Sequence, residues 1–299
     1  MKELIPSGVS IDFMAKRHIC AVLSILMVGL SVYTFIASGD SKYGTDFSGG
    51  HEFLVSFSGG EDSEQIRAGL QKAGLEDVRV QAFQGTTNEY SIRLGEASDI
   101  AVVRSKVEAA LSKAFEGTAR IDKTDYVGPT VGAELRWSAL CAVGLGLIGI
   151  LAYIAIRFEF AVGLGTIVAL FHDVIIATGV YILSGHIIGM ATLAAALTIV
   201  GYSVNDTVVI FDRVREQRQK RRGGSLTDVV NDALNFTLSR TLITHILTFF
   251  SALALYIVGT GEIKDLSLYL VAGIVLGAYS TIFIVSPIVI FWEQKRGRA

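Results

Sequence analysis

Two groups able to hold and release a proton lie in apolar sequence. Asn205 and Asp206 interrupt a greasy run that starts at Met190 and resumes at Val208, within Gly201-Tyr-Ser-Val-Asn-Asp-Thr-Val-Val-Ile-Phe-Asp-Arg213. A charge at the centre of a membrane span costs about 2.5–3.5 kcal/mol on insertion scales, so such residues usually face a bundle interior and work there. The structural alternative is an interhelical hydrogen bond worth roughly 1 kcal/mol. At helical spacing Thr198, Tyr202, Asp206 and Arg213 fall near one face. Arg240 opens the next apolar segment, and an antiparallel neighbour brings it within reach of Asp206; its other reading is a snorkelling arginine that sets topology. Burial favours the neutral acid and a nearby guanidinium favours the carboxylate. A helix movement that parts and rejoins this pair would load and expel a proton. His172 and Asp173, adjacent near the middle of another apolar segment, suit a proton relay better than a metal site, because no second His lies four residues on and no Cys or Glu accompanies them. His245 reads as a hydrogen-bonded packing residue.

Positioning these groups takes helices that cross a bilayer. The chain has 299 residues, 51% of them hydrophobic, and a mean hydropathy of +0.52, an excess that soluble domains of this size rarely carry. Segments 19–37, 137–156, 160–183, 188–211, 241–258 and 268–292 are each near the roughly 20 apolar residues a spanning helix needs, and none alternates as a barrel strand would. Lys and Arg cluster at 1–18, at Arg157, through the loop 212–240 and in the tail 293–299, which puts both termini in the cytoplasm and residues 38–136 outside. The first span reads as a retained anchor. Cys20 and Cys141 fall near opposite faces and are expected to form neither a disulfide nor a metal site. The basic run 212–224 anchors topology against anionic headgroups and lacks the interleaved aromatics of a nucleic-acid site. After a capping Ser225–Asp228 pair, Leu226, Val229, Val230, Ala233 and Leu234 line one side of a helix expected to lie on the membrane before turning into the fifth span. Gly273 and Gly277 in the last span, with similar pairs in the second and third, predict close helix approach.

Residues 38–136 read β-α-β-β-α-β: an alternating strand at 51–57 with His51, Phe53, Val55 and Phe57 on one face, a helix after a Ser63 cap with Ile66, Leu70 and Ala73 as its stripe, strands at 77–83 and 89–94, a helix capped by Ser98 with Ile100, Val103, Val107, Ala110 and Leu111 inward, and a strand near 119–126. That order predicts a small α+β ferredoxin-like sandwich serving as a binding or docking module, with no catalytic constellation. Ahead of it, Tyr43-Gly-Thr-Asp-Phe-Ser-Gly-Gly50 reads as a structural corner, with Asp46 accepting backbone N–H bonds and Gly44, Gly49 and Gly50 allowing tight turns.

The corner motif, Phe171-His-Asp-Val174, the segment from Gly201 through Arg213 and on to Glu216, and Ser239-Arg-Thr-Leu-Ile-Thr244, in this order and topology, resemble the SecD/SecF family of bacterial protein export, the likeness running from first span to last. Thr45 departs from the family pattern, which has an apolar residue before the Asp. The resemblance implies an all-α membrane bundle equal to half of a resistance-nodulation-division transporter, joined by SecD to make twelve spans. It implies association with the SecYEG channel, YajC and YidC, contact with translocating preprotein, an inner-membrane location, and no cofactor beyond protons as coupling ion. The expected activity is use of the proton-motive force to complete translocation after the ATP-driven motor SecA, without chemical catalysis, and the expected proton path runs through Asp206 and Arg240. The competing readings are a proton-coupled small-molecule exporter and a passive scaffold of a membrane complex.

Overall fold

The computed structural model describes residues 10–75, 78–82, 88–95, 99–115, 117–220, 225–259 and 261–297. In chain order they form α1 (Arg17–Ala37), the single turn α2 (Thr45–Ser48), β1 (Gly50–Phe57), α3 (Ser63–Lys72), β2 (Val78–Ala82), β3 (Glu89–Leu94), α4 (Ile100–Phe115), β4 (Ala119–Val127), α5 (Pro129–Arg157), α6 (Phe160–Leu183), α7 (Met190–Lys220), α8 (Leu226–Val258), α9 (Glu262–Ser280) and α10 (Ser286–Lys295). Among the described residues, six stretches are long and apolar enough to cross a bilayer: Met14–Ala37, Thr130–Arg157, Phe160–Leu183, Met190–Lys220, Leu226–Val258 and Glu262–Lys295. The chain divides into two compact units, residues 37–142 with 181–190 as one and the rest as the other.

The first unit holds a four-stranded antiparallel sheet in the order β2-β3-β1-β4. Strand β3 lies antiparallel between β1 and β2, the arrangement expected of a split β-α-β. The inward residues of β1 behave as their alternation predicts: His51, Phe53 and Val55 are 0% exposed and Phe57 2%. Phe53, Val55 and Phe57 pack with Ile66 and Leu70 of α3 and with Val103, Val107, Ala110 and Leu111 of α4, and burying each large aliphatic or aromatic side chain contributes about 1.5–3 kcal/mol. Two expectations change. Asp62, not Ser63, caps α3: its carboxylate accepts from Gln65 N at 2.8 Å while Gln65 Oε1 accepts from Asp62 N at 3.1 Å, a reciprocal pair that a serine one residue later cannot form. Ile100 is 39% exposed, because the first helical position of α4 lies clear of the sheet-facing stripe. The expected cap Ser98 lies outside the described residues.

The corner at 43–50 is fastened on four sides. Gly44 N donates to Ile188 O at 2.9 Å and Ile188 N to Lys42 O at 2.7 Å, making a parallel bridge between Tyr43 and Ile188. Arg93, buried in β3, donates to Tyr43 O at 2.6 Å. Burial lowers its pKa from the ordinary arginine value, and the carboxylate of Glu52 acts in the opposite sense. The hydroxyl of Thr45, the residue that departs from the family pattern, donates to Glu52 Oε2 at 2.9 Å. Asp46 Oδ2 accepts from Met190 N at 2.9 Å and so caps the first turn of α7. The chain leaves the corner through Gly49 and Gly50, at φ 71° and 107°. A Cβ on Gly50 would lie 2.5 Å from Leu94 O, so only glycine fits the start of β1. Asp46→Ala removes an acceptor typically worth about 1 kcal/mol. Hydrogen exchange of the amides at 190–193 is expected to quicken roughly fivefold in D46A and to stay near wild type in D46N, whose amide oxygen still accepts.

In the bundle unit, small residues set the closest approaches. A Cβ on Gly273 would lie 1.8 Å from Ile199 Cδ1, and one on Gly277 would lie 3.5 Å from Ser203 Cβ, so α9 lies tightly on α7. Gly179 plays the same part against Ser31, because a Cβ added there would lie 2.3 Å from Ser31 Cβ, too close for any larger residue. In the second span Gly144 and Gly149 meet open space, and a Cβ on Gly146 would make only ordinary contact with Leu197, at 3.6 Å. The basic segment after the fourth span is helical through Lys220, supported by Glu216 paired with Arg213 and with Lys220. Helix α8 likewise runs unbroken from Leu226 to Val258, a stretch free of glycine and proline. Ser225 caps it as expected, with Asp228 N donating to Ser225 Oγ at 3.2 Å. Leu226, Val229, Val230, Ala233 and Leu234 are buried against Val285, Val289 and Ile290, so this face closes the bundle and no turn separates it from the fifth span. The last span widens into a π-helical turn at Thr281–Val285, just before Pro287. Proline lacks an N–H and crowds the carbonyl one turn back, and the wide turn absorbs both effects.

Candidate functional site

Helix α7 buries Ser203, Asp206, Thr207 and Ile210 and leaves Thr198 and Asn205 exposed. Its polar inner face is therefore the one through Ser203, Asp206 and Thr207, about a quarter-turn from the expected line through Thr198. Asp206 is 4% exposed, and its partner is His245 of α8: Oδ2 and Nε2 lie 2.9 Å apart. Neither of these two atoms has another hydrogen-bond partner among the described residues. The other ring nitrogen, Nδ1, lies 2.8 Å from Thr241 O. A carbonyl oxygen only accepts, so Nδ1 carries a hydrogen and a neutral ring turns a lone pair toward Asp206. Two acceptors at 2.9 Å repel unless a proton lies between them. A proton between the two atoms would remove that repulsion. Tyr202, one turn earlier on α7, stands edge-on to the His245 ring at 5.1 Å and donates from its hydroxyl to Thr248 Oγ1 at 3.2 Å.

The expected pairing of Asp206 with Arg240 is not made. Arg240 is exposed and has no ion pair among the described residues. Five residues of α-helix turn the chain about 140° beyond a full circle. Helix α8 faces inward with Thr241 and His245, so Arg240 points away. Asn205, beside Asp206 in sequence, is also on an exposed side. Arg213 lies at the other end of α7's polar line, its guanidinium 3.5 Å above the Phe236 ring.

His172 and Asp173 do come together, in a second buried cluster. His172 Nδ1 and Asp173 Oδ1 are 3.0 Å apart. Asp173 Oδ2 accepts from Ser203 Oγ at 2.9 Å and from Ser280 Oγ at 2.7 Å. One carboxylate thereby ties α6, α7 and α9 together, directly before the π-helical turn. The His172 ring stacks on Tyr279 with centroids 5.9 Å apart, and its Nε2 has no hydrogen-bond partner among the described residues. Tyr279 in turn donates to Cys20 O at 2.7 Å on α1. Ser203 and Thr207 flank Asp206 on α7, and Thr207 Oγ1 lies 3.5 Å from Thr281 Oγ1. The two acids therefore share one helix turn as neighbour. Sequence reasoning misses His245 as a partner; the available signal is its four-residue spacing from Thr237 and Thr241, all of them buried. Asp46, Gly49 and Gly50 lie in the corner described above.

A family model described as protein export membrane protein SecD/SecF, C-terminal, matches residues 106–295. The protein translocase subunit SecF of Calditerrivibrio nitroreducens is 36% identical over 301 residues, covering 99% of this chain and 98% of that protein. The SecF subunit of Rickettsia felis is 36% identical over 298 residues, covering 98% and 96%. The crystal structure of SecDF, a translocon-associated membrane protein from Thermus thermophilus, matches with a TM-score of 0.86 at 32% identity, over 97% of this chain and 40% of that one. SecDF in a super-membrane-facing form matches at 0.71 and 34% identity, over 99% of this chain and again 40% of the other. This chain spans two-fifths of the length of those SecDF chains. Its identity to SecF subunits is sustained from end to end, and the chain belongs to the SecD/SecF family of protein export membrane proteins.

Proposed function

We propose that this chain, a multi-pass membrane protein of the Sec protein-translocation family, converts proton entry into motion through Asp206 and His245. The observation that carries the reading is the 2.9 Å approach of Asp206 Oδ2 to His245 Nε2 with the other ring nitrogen held by Thr241 O. A pair so placed is comfortable with a proton between its atoms and uncomfortable without one, and losing the proton drives α7 and α8 apart. One charge crossing 100 mV supplies about 2.3 kcal/mol, which shifts a two-state equilibrium about fiftyfold. Helix α7 carries that motion along its length to Met190, where Asp46 holds its first turn. The sheet-bearing unit then acts on the translocating polypeptide. Protons are the coupling ion, and no other cofactor takes part.

SecD is the partner that completes the bundle. The chain corresponds to 40% of the SecDF chains it matches, and Asn205, Arg240 and Thr244 are on membrane helices without full burial, where lipid is a poor neighbour for them. They suit contact with the other half. The distribution of basic residues supports cytoplasmic termini, with the SecYEG channel delivering the substrate. The test is co-reconstitution of the chain with SecD and SecYEG in vesicles carrying an imposed proton gradient. Proton uptake that rises when preprotein engages is the expected result; translocation with no gradient dependence would leave only a scaffold.

A further inference from the structure

At the end of the bundle where α7 becomes basic, a cavity of about 640 Å³ opens between the α5–α6 junction, α7 and α10. Its walls are of two kinds. Phe211, Val214 and Val289 give an apolar side, while Arg215, Arg218, Glu293 and the exposed Glu159 give a charged one. Glu293 is the anomaly: it is 2% exposed, and its Oε2 has no hydrogen-bond partner among the described residues. Arg218 Nη1 stands 3.7 Å from it, an ion-pair distance too long for a hydrogen bond. A buried carboxylate oxygen without a donor is costly, so the cavity calls for a donor-bearing cation beside Glu293. At the rim the exposed Arg215 calls for an anion. Arg157, which also lines the cavity, is already neutralised by Asp212. The depth is that of lipid headgroups: Trp292, next to Glu293, lies between the Phe160 ring at 5.2 Å and the Arg296 guanidinium at 5.2 Å, an aromatic and basic pairing typical of membrane boundaries.

A primary ammonium for Glu293, a phosphate for Arg215 and a hydrocarbon chain for the wall of Phe211, Val214 and Val289 belong together in one kind of molecule. We propose that this cavity binds a phospholipid with an aminoethyl phosphate headgroup. Its ammonium donates to Glu293, its phosphate lies on Arg215 with Arg218 alongside, and one acyl chain follows the apolar wall. The bound lipid would fasten the charged end of α7 to α10 and to the α5–α6 junction.

The full-length chain in detergent is titrated with phosphatidylethanolamine, phosphatidylcholine and phosphatidylglycerol of identical acyl chains, and bound lipid is counted by native mass spectrometry. A charge-assisted hydrogen bond to the carboxylate should favour the ethanolamine lipid roughly tenfold over the other two. Glu293→Gln should abolish that preference. Arg215→Gln should weaken all three lipids severalfold and keep the order; this residue is exposed, so the variant folds and the test stands even if the Glu293 variant does not. Equal retention of the three lipids by the wild type, or an unchanged preference in E293Q, overturns the proposal. Displacement by soluble phosphoethanolamine at equal concentration also overturns it, since it would make the cavity a site for a soluble ligand.

Discussion

In vesicles holding this chain, SecD and SecYEG, Asp206→Asn is expected to lower preprotein-stimulated proton uptake by roughly 100-fold or more, the scale seen when a positioned proton acceptor is removed. The ATP-driven stage of translocation should continue. Asparagine keeps the size and polarity of the side chain, and its amide can donate to His245 Nε2, which satisfies the contact without a titrating proton. The fold is therefore expected to survive, and an unfolding midpoint within a few degrees of wild type checks this. The loss then belongs to chemistry and not to collapse.

Two companion variants decide which residue works with Asp206. His245→Gln should cut proton uptake strongly, because it removes the only buried titratable side chain that touches Asp206 among the described residues. It should spare more activity than D206N, since the carboxyl itself remains. Arg240→Gln removes a residue on the exposed side of α8, and its effect should follow assembly with SecD: less complex recovered by affinity capture, with flux per assembled complex nearly normal. If R240Q instead abolishes flux in fully assembled complexes while H245Q leaves it intact, then the guanidinium is the working partner and the Asp206–His245 contact is structural.

Much of this is legible because hydropathy and strand alternation are strong local signals. The six spans, the order of the small sheet and the inward faces of β1 and α4 all follow from residues within one element. So does the singling out of Asp206, His172 and Asp173, since an ionisable group in an apolar run stands out whatever its neighbours. Rotation of one helix about its axis is not legible. Along α8, apolar residues occur all round, and polar ones sit both inward, at Thr237, Thr241 and His245, and outward, at Arg240. Periodicity then fails to say which side meets α7, and charge complementarity points to the arginine. The corner reads as a turn but not as a fastening, because its partners, Ile188 and Met190, lie more than 140 residues away in sequence. Glu293 reads as part of the basic tail, where nothing local marks it as buried.

The largest effect on stability should come from Asp173→Ala. The carboxylate accepts from Ser203 at 2.9 Å and Ser280 at 2.7 Å, and it lies 3.0 Å from His172 Nδ1, with only 1% of the residue exposed. Alanine leaves two hydroxyls and a ring nitrogen facing an apolar hole. Breaking one partner out of a buried polar network costs about 3–5 kcal/mol, so the unfolding transition in an SDS titration should move well below wild type. Asp173→Asn separates shape from charge: its amide oxygen still accepts from a serine, while its NH₂ must meet His172, whose tautomer can switch to accept. The cost should stay near 1 kcal/mol, roughly the scale of one ordinary hydrogen bond. Proton uptake by D173N then distinguishes a tie from a relay. With Ser203, Ser280 and His172 already engaging both oxygens, Asp173 is expected to act as the clasp of α6, α7 and α9, and flux should hold within roughly threefold of wild type, far above the D206N level. A folded D173N protein with flux as low as D206N would instead place Asp173 in the path of the proton, and would make Ser203, which lies one turn from Asp206, the bridge between the two acids.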